Sequence, residues 1–247
     1  MCELFGLSAS RPLAGRELPL AEFRARGGGA ADNPDGWGLA WREGGDLRLE
    51  KEPLPASAST RFDTLTGSLC SDLVVGHVRK ARFPPINTLE NTHPFLRECC
   101  GRGWVFAHNG LVPEIVALES ASASRVCRPE GETDSEFAFC HLLSHVTRHL
   151  QDAGADWPAR LGAVSEVIAR HGKFNFLLSD GEHLIAYGHD RLHCLETHDG
   201  PDDVVLVATE PLSGQPGWTA FAPGELRIWR AGTRVGRLLT HPPVPNA

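Results

Sequence analysis

The residue of this chain best placed to do chemistry is Cys2, preceded only by Met1. Loss of Met1 would leave a thiol and a free α-amine on one residue, so a nucleophile and its base would travel together. The amine titrates near ~8 and the thiol near ~8.5, so a proton passes between them at little cost near neutral pH. A small buried residue opening a first strand is the structural alternative.

Other polar residues stand where apolar runs end. Gly76-His77-Val78-Arg79 closes such a run with a planar guanidinium, which can grip a carboxylate through two hydrogen bonds or form a structural ion pair. Phe106-Ala107-His108-Asn109-Gly110 ends in Asn-Gly. That pair makes a simple turn or, with the Asn109 amide and the Gly110 N–H, a two-donor oxyanion hole. Asp134 sits in the capping-box sequence Thr133-Asp134-Ser135-Glu136, where it either favours a helix N-terminus or holds a substrate ammonium. Asn91-Thr92-His93-Pro94-Phe95 is a polar triplet locked by proline, a pattern that fixes a loop.

These residues need elements to position them. Residues 2–8 read as a buried strand whose first residue is Cys2. Residues 16–26 have helical spacing and meet a stop at Gly27, Gly28 and Gly29. Residues 37–42 and 46–51 flank Glu43-Gly44-Gly45 as a hairpin, and 57–65 form a short helix. Residues 73–79 and 104–108 read as inner strands. The capping box opens a helix reaching His149, and 158–170 form a second. Strands follow at 173–179, 183–188, 204–209, 226–230 and 235–239, separated by turn residues. Two groups of mainly antiparallel strands with helices beside them predict an α+β layered fold.

Composition excludes several functions. The chain has 247 residues, enough for one large core, and no linker divides it, so a single domain over 1–247 is expected. The proline-rich tail, 241–247, is expected to be loose. A net charge of −7 without a cluster of Lys and Arg argues against nucleic acid as a partner. There is no apolar run of about 18 residues and no leader pattern, so a cytoplasmic protein without a membrane partner is expected. Seven cysteines at irregular spacing predict thiols rather than a disulfide framework or a zinc motif.

In order along the chain, MCELFGLSA, NPDGWGLAW (33–41), GHVRKA (76–81), ENTHPF (90–95), FAHNG (106–110), TDSE (133–136) and ATEPL (208–212) resemble the class II, N-terminal-nucleophile glutamine amidotransferases, in particular their stand-alone YafJ-like branch. The resemblance implies a four-layer αββα sandwich with the site at the edge of two central sheets. It makes Cys2 the nucleophile, Asn109 and Gly110 the oxyanion hole, Arg79 the anchor of the glutamine α-carboxylate and Asp134 the partner of the α-ammonium. His93 becomes a support residue, and no cofactor or metal is implied. Larger family members carry tryptophan after the arginine and a Thr-His pair beyond it. Here Lys80, Arg82 and Phe83 occupy that stretch, so part of the glutamine pocket is built differently.

The implied reaction releases ammonia from glutamine through a γ-glutamyl thioester. The ammonia passes to a synthetase partner, or the substrate is itself a γ-glutamyl amide or peptide. Two readings of other classes stand beside this one. His141, His145 and His149 lie along one predicted helical face where two could share a zinc ion, and a retained Met1 would leave a silent binding or regulatory subunit. Trp37 and Trp41 read as core or pocket wall.

Overall fold

The computed structural model describes residues 1–122, 125–150, 156–198, 202–212 and 214–243, with only the backbone at 148–150. In chain order the elements are β1 (Glu3–Ala14), α1 (Leu20–Ala25), β2 (Trp37–Glu43), β3 (Asp46–Glu52), α2 (Thr60–Ser68), β4 (Cys70–Val78), β5 (Phe95–Cys99) and β6 (Arg102–Leu111). They continue with α3 (Ile115–Ser120), α4 (Asp134–Leu150), α5 (Trp157–Ala169), β7 (Lys173–Ser179), β8 (His183–Gly188), β9 (His193–Thr197), β10 (Val204–Ala208), β11 (Thr219–Ala220), β12 (Glu225–Arg230) and β13 (Thr233–Leu239).

The strands form two sheets, ordered β11-β9-β10-β1-β4-β2-β3 and β13-β12-β8-β7-β6-β5. Between them lies an apolar layer that includes Leu4, Val75, Val105, Ala107, Leu177 and Leu184. Phe5, Leu7, Trp37 and Val78 turn outward from the first sheet onto Phe23 of α1 and Phe62 of α2. Phe106, Phe174 and Phe176 turn outward from the second onto Phe139 and Leu142 of α4 and Leu161 of α5. The architecture is therefore αββα, as the motifs implied, and it explains why β1 is apolar on both faces. A Cβ on Gly6 would stand 3.1 Å from Leu177 of the facing sheet, so the sheets approach closely at β1.

Local differences from the sequence reading have identifiable causes. The helix expected over 16–26 is broken by Pro19, which lacks an N–H: Gly15–Glu17 forms a single 3-10 turn and α1 begins only at Leu20. The helix expected at 57–65 starts later, because the Ser59 hydroxyl accepts from the Phe62 N–H and fixes the cap there. α3, β5, β9 and β11 were not foreseen; each is short, and none shows enough periodicity to stand out. Trp37 is core, its indole N–H donating to Glu52 Oε2 at 3.0 Å, and Trp41 packs at the edge of the same cluster.

The expectation of thiols throughout is corrected at one pair, since Cys127 and Cys140 form a disulfide with Cα atoms 5.5 Å apart. The approach of a loop to α4 creates this pair, which linear spacing cannot announce. Among the described residues no helix is long and apolar enough to cross a membrane. In the tail, the Pro243 carbonyl lies 2.8 Å from His189 Nε2, while 244–247 fall outside the described residues.

Candidate active site

Strand register brings the dispersed motifs together. Glu3 of β1 is opposite Val78 of β4, so the next step of the ladder carries Cys2 to Arg79 and Lys80. The Lys80 backbone N–H donates to Cys2 Sγ at 3.2 Å, and the thiol points at the Lys80 carbonyl, 3.4 Å away. Burial pushes the Cys2 thiol above its ordinary value, opposed by the Lys80 N–H and the Arg79 guanidinium, which both favour the thiolate. Met1 stands outside β1 and is exposed.

Arg79 is nearly buried, and burial lowers its affinity for its proton while Cys2 and Asp35 raise it. Its Nη1 is fully occupied, donating to the carbonyls of Asp35 (3.4 Å) and Ile86 (3.2 Å) and to Asn87 Oδ1 (3.0 Å). Asp35 in turn accepts from the Ala81 N–H at 2.8 Å and from Asn87 Nδ2 at 3.3 Å. One arm of the guanidinium is thereby fixed, and the side chain lines the cleft beside Cys2.

On the facing sheet, alternation along β6 sends neighbouring side chains to opposite faces. Ala107 and Asn109 face the first sheet, whereas Phe106 and His108 face α4. The Asn109 amide donates to the Cys2 carbonyl and lies 3.4 Å from Thr209 Oγ1. Thr209 also accepts from the Leu4 N–H at 2.9 Å, so β1, β6 and the end of β10 are joined behind Cys2. Asn175 holds the other side, donating to the Asn109 carbonyl (3.1 Å) and to Asp190 Oδ1 (2.6 Å). Gly110 has φ 150°, and a Cβ there would fall 1.9 Å from the Lys173 carbonyl oxygen, so only glycine fits.

Asp134 begins α4. Its Oδ2 accepts from the Val112 N–H at 2.6 Å, and Ser135 Oγ lies 3.4 Å from its Oδ1. Ser135 Oγ is also 2.8 Å from His108 Nδ1. The capping box is only half made. Thr133 Oγ1 accepts from the Glu136 N–H at 3.3 Å, but the buried Glu136 carboxylate instead takes the N–H groups of Glu130 (3.0 Å) and Gly131 (2.7 Å) and pairs with Arg97. Glu136 therefore ties down the loop that leads into Asp134.

Three histidines are buried beside these groups. His93 Nδ1 accepts from the His108 N–H at 3.4 Å, and the His93 ring packs 4.3 Å from His77 and 4.6 Å from Phe95. Burial lowers all three in pKa, His77 to about 3, and each is therefore held neutral. His77 is fully buried with neither ring nitrogen hydrogen-bonded.

A cleft of about 370 Å³ opens here, and Cys2, Arg79, His93, Gly110 and Asp134 all line it. Asn109 lies one step behind the wall, its amide committed to the Cys2 carbonyl. Lys80 pairs with Asp32 at 2.6 Å, Arg82 lines the cleft and Phe83 is almost fully exposed. A larger groove of about 1200 Å³ crosses the opposite end of the sheets, but its main cations are already paired, Arg42 with Asp72 and Arg102 with Asp180. Among the described residues no group of three or more His, Cys, Asp or Glu side chains could hold a metal ion. His141 instead pairs with the buried Glu119 at 3.0 Å and packs on His145, while the His149 side chain lies outside the described residues.

Sequence reasoning missed Asp35, Asn87, His108, Ser135, Asn175 and Thr209. His108 and Ser135 lie within the quoted motifs, and alternation along β6 was the signal that could have sent His108 toward the helix. Thr209 lies in ATEPL, but nothing linear links it to Leu4, 205 positions away.

The family described as glutamine amidotransferases class-II matches residues 1–201. The glutamine amidotransferase-type protein YafJ of Escherichia coli is 35% identical, with 95% of this chain and all of that one covered. A γ-glutamyl-hercynylcysteine sulfoxide hydrolase of Mycobacterium tuberculosis is 30% identical over 75% of this chain and 71% of its own. The crystal structure of a glutamine amidotransferase-type protein from Pseudomonas aeruginosa PA01 superposes with a TM-score of 0.71 at 31% identity, covering 95% of this chain and all of that one. With its leading cysteine, its paired sheets and a match that extends through the cleft, the chain belongs to the class II glutamine amidotransferases.

Proposed function

We propose that the mature protein hydrolyses the side-chain amide of glutamine, with Cys2 as an N-terminal nucleophile. The observation that carries this reading is a single cleft lined by Cys2, a half-anchored arginine, Gly110 and Asp134. Arg79 holds the α-carboxylate and Asp134 the α-ammonium, which fixes a short zwitterion by one end and leaves its amide at Cys2. With Met1 removed, the Cys2 amine accepts the thiol proton as sulfur attacks the carboxamide carbon. Gly110 donates its N–H to the oxyanion, joined by the Asn109 amide once that side chain exchanges the Cys2 carbonyl for the oxyanion. The amine returns the proton to the departing ammonia, and water activated by the same amine hydrolyses the γ-glutamyl thioester to glutamate.

A second reading keeps the thioester and changes the leaving group from ammonia to a larger amine. It is favoured by the apolar residues Pro84, Ile86, Pro113 and Val116 in the cleft lining, and by the γ-glutamyl hydrolase among the relatives. Under the first reading ammonia passes to a separate synthetase; under the second the freed amine is the product. Comparing ammonia release from glutamine with amine release from γ-glutamyl peptides separates them. Cys2→Ala should abolish both in a folded protein, and turnover retained by that variant refutes the nucleophile.

A further inference from the structure

The turn between β5 and β6, at the end of the sheets away from the cleft, brings two thiols together. Cys99 pairs with Arg102, so the hairpin turns on two residues, Cys100 and Gly101. Both have positive φ, 55° and 79°, the geometry of a type I′ turn whose first position ordinarily takes Asn, Asp or Gly. Neighbouring residues of an extended strand point to opposite faces. The left-handed backbone at Cys100 reverses this and leaves the two Sγ atoms 3.2 Å apart. Cys99 is buried and Cys100 exposed. Both line the groove of about 1200 Å³, as does Cys70, which gives a small molecule room to reach them.

We propose that Cys99 and Cys100 form a vicinal dithiol that low-molecular-weight disulfides oxidise to an internal disulfide. The exposed Cys100 thiolate attacks one sulfur of the reagent RSSR, forming the Cys100–S–SR bond and expelling RS⁻, which takes up the proton Cys100 lost. Cys99 then gives up its proton, and its sulfur attacks Cys100 Sγ and displaces the second RS⁻, which leaves as RSH. Two thiols are oxidised and one disulfide is reduced to two RSH. The order follows from exposure and is supported by the Cys99 thiol, which burial and its neighbour's sulfur push up to about 11. This site is independent of the cleft chemistry.

The test uses hydroxyethyl disulfide, which carries no γ-glutamyl group, on the full chain, followed by acid quench, alkylation of remaining thiols and peptide mapping. In the unsubstituted protein the peptide holding both cysteines should lose two hydrogens, take up no alkyl group and regain both thiols on reduction. Cys99→Ser should instead trap the hydroxyethyl adduct on Cys100, at a level on the order of tenfold or more above the unsubstituted protein, because the resolving thiol acts at high effective concentration. A lasting adduct on Cys100 of the unsubstituted protein overturns the proposal. So does a bridge from Cys100 to Cys70, or alkylation of both cysteines after Cys70 has reacted.

Discussion

Arg79→Lys isolates one part of the proposed mechanism, the grip on the α-carboxylate. The side chain keeps its charge but loses the planar fork, so a bidentate grip on a carboxylate falls to a single contact. A hydrogen bond between charged groups contributes about 1.5–3 kcal/mol. At about 1.4 kcal/mol per decade, kcat/KM for glutamine should fall roughly 10- to 150-fold. The variant also forfeits the three Nη1 contacts to Asp35, Ile86 and Asn87, whose net value of about 1 kcal/mol each is partly restored by water at this half-exposed loop. The melting temperature should therefore drop by only a few degrees, and the variant stays folded. The assay measures ammonia release from glutamine and from its decarboxylated analogue, which keeps the ammonium and the amide. The unsubstituted enzyme should prefer glutamine, and Arg79→Lys should lose that preference by the same factor as it loses kcat/KM. A folded variant that is slowed equally on both substrates, or on neither, would refute the assignment of Arg79 to the α-carboxylate.

Other consequences are open to equally direct measurement. His77, His93 and His108 are held neutral when folded but bind protons near the ordinary histidine value when unfolded. The unfolded state therefore takes up more protons below pH ~6.5, and their stabilising effect, complete above that value, is lost as pH falls toward about 3 for His77. Urea titrations should show stability declining by up to about 1.4 kcal/mol per pH unit for each such histidine, and a flat profile between pH 6.5 and 5 would contradict it. Gly110→Ala, whose Cβ would meet the Lys173 carbonyl at 1.9 Å, should cost several kcal/mol, on the order of 3 or more, and lower the melting temperature sharply. Ser135→Ala removes the 2.8 Å contact to His108 and the donor to Asp134, so it should cost about 1 kcal/mol in stability and raise KM several-fold more than it lowers kcat.

Most strands and helices, and the residues proposed to do chemistry, could be picked out because each is written over a short span, whereas the αββα order was implied by the family motifs. An apolar strand ending in an arginine, or a strand ending in Asn-Gly, declares an element and its polar tip within five residues. What supports those tips was not legible, because it arises only where strands meet. Asn109 depends on Thr209 and Asn175, which lie 100 and 66 positions away and reach it through β10 and β7. The half-made capping box shows the same limit at short range. Thr133 and Glu136 have the right spacing to bond one another reciprocally, yet Glu136 finds Arg97 and two loop N–H groups that only the packing of β5 against α4 supplies.

The alternation of β6 links fold to function most directly. Because successive residues must face opposite ways, one strand end serves both neighbouring layers. Asn109 reaches across to the Cys2 backbone on the facing sheet, while His108 reaches out to Ser135 beside Asp134 on α4. Cys2 and Asp134, the proposed nucleophile and ammonium partner, belong to different layers of the sandwich, and this two-residue step couples their positions. A one-residue slip in the pairing of β6 with β7 would exchange the two faces, withdraw the amide from Cys2 and bury it under the helix. Gly110 follows at a φ and a clearance that no other residue tolerates, which holds the strand end in its observed register.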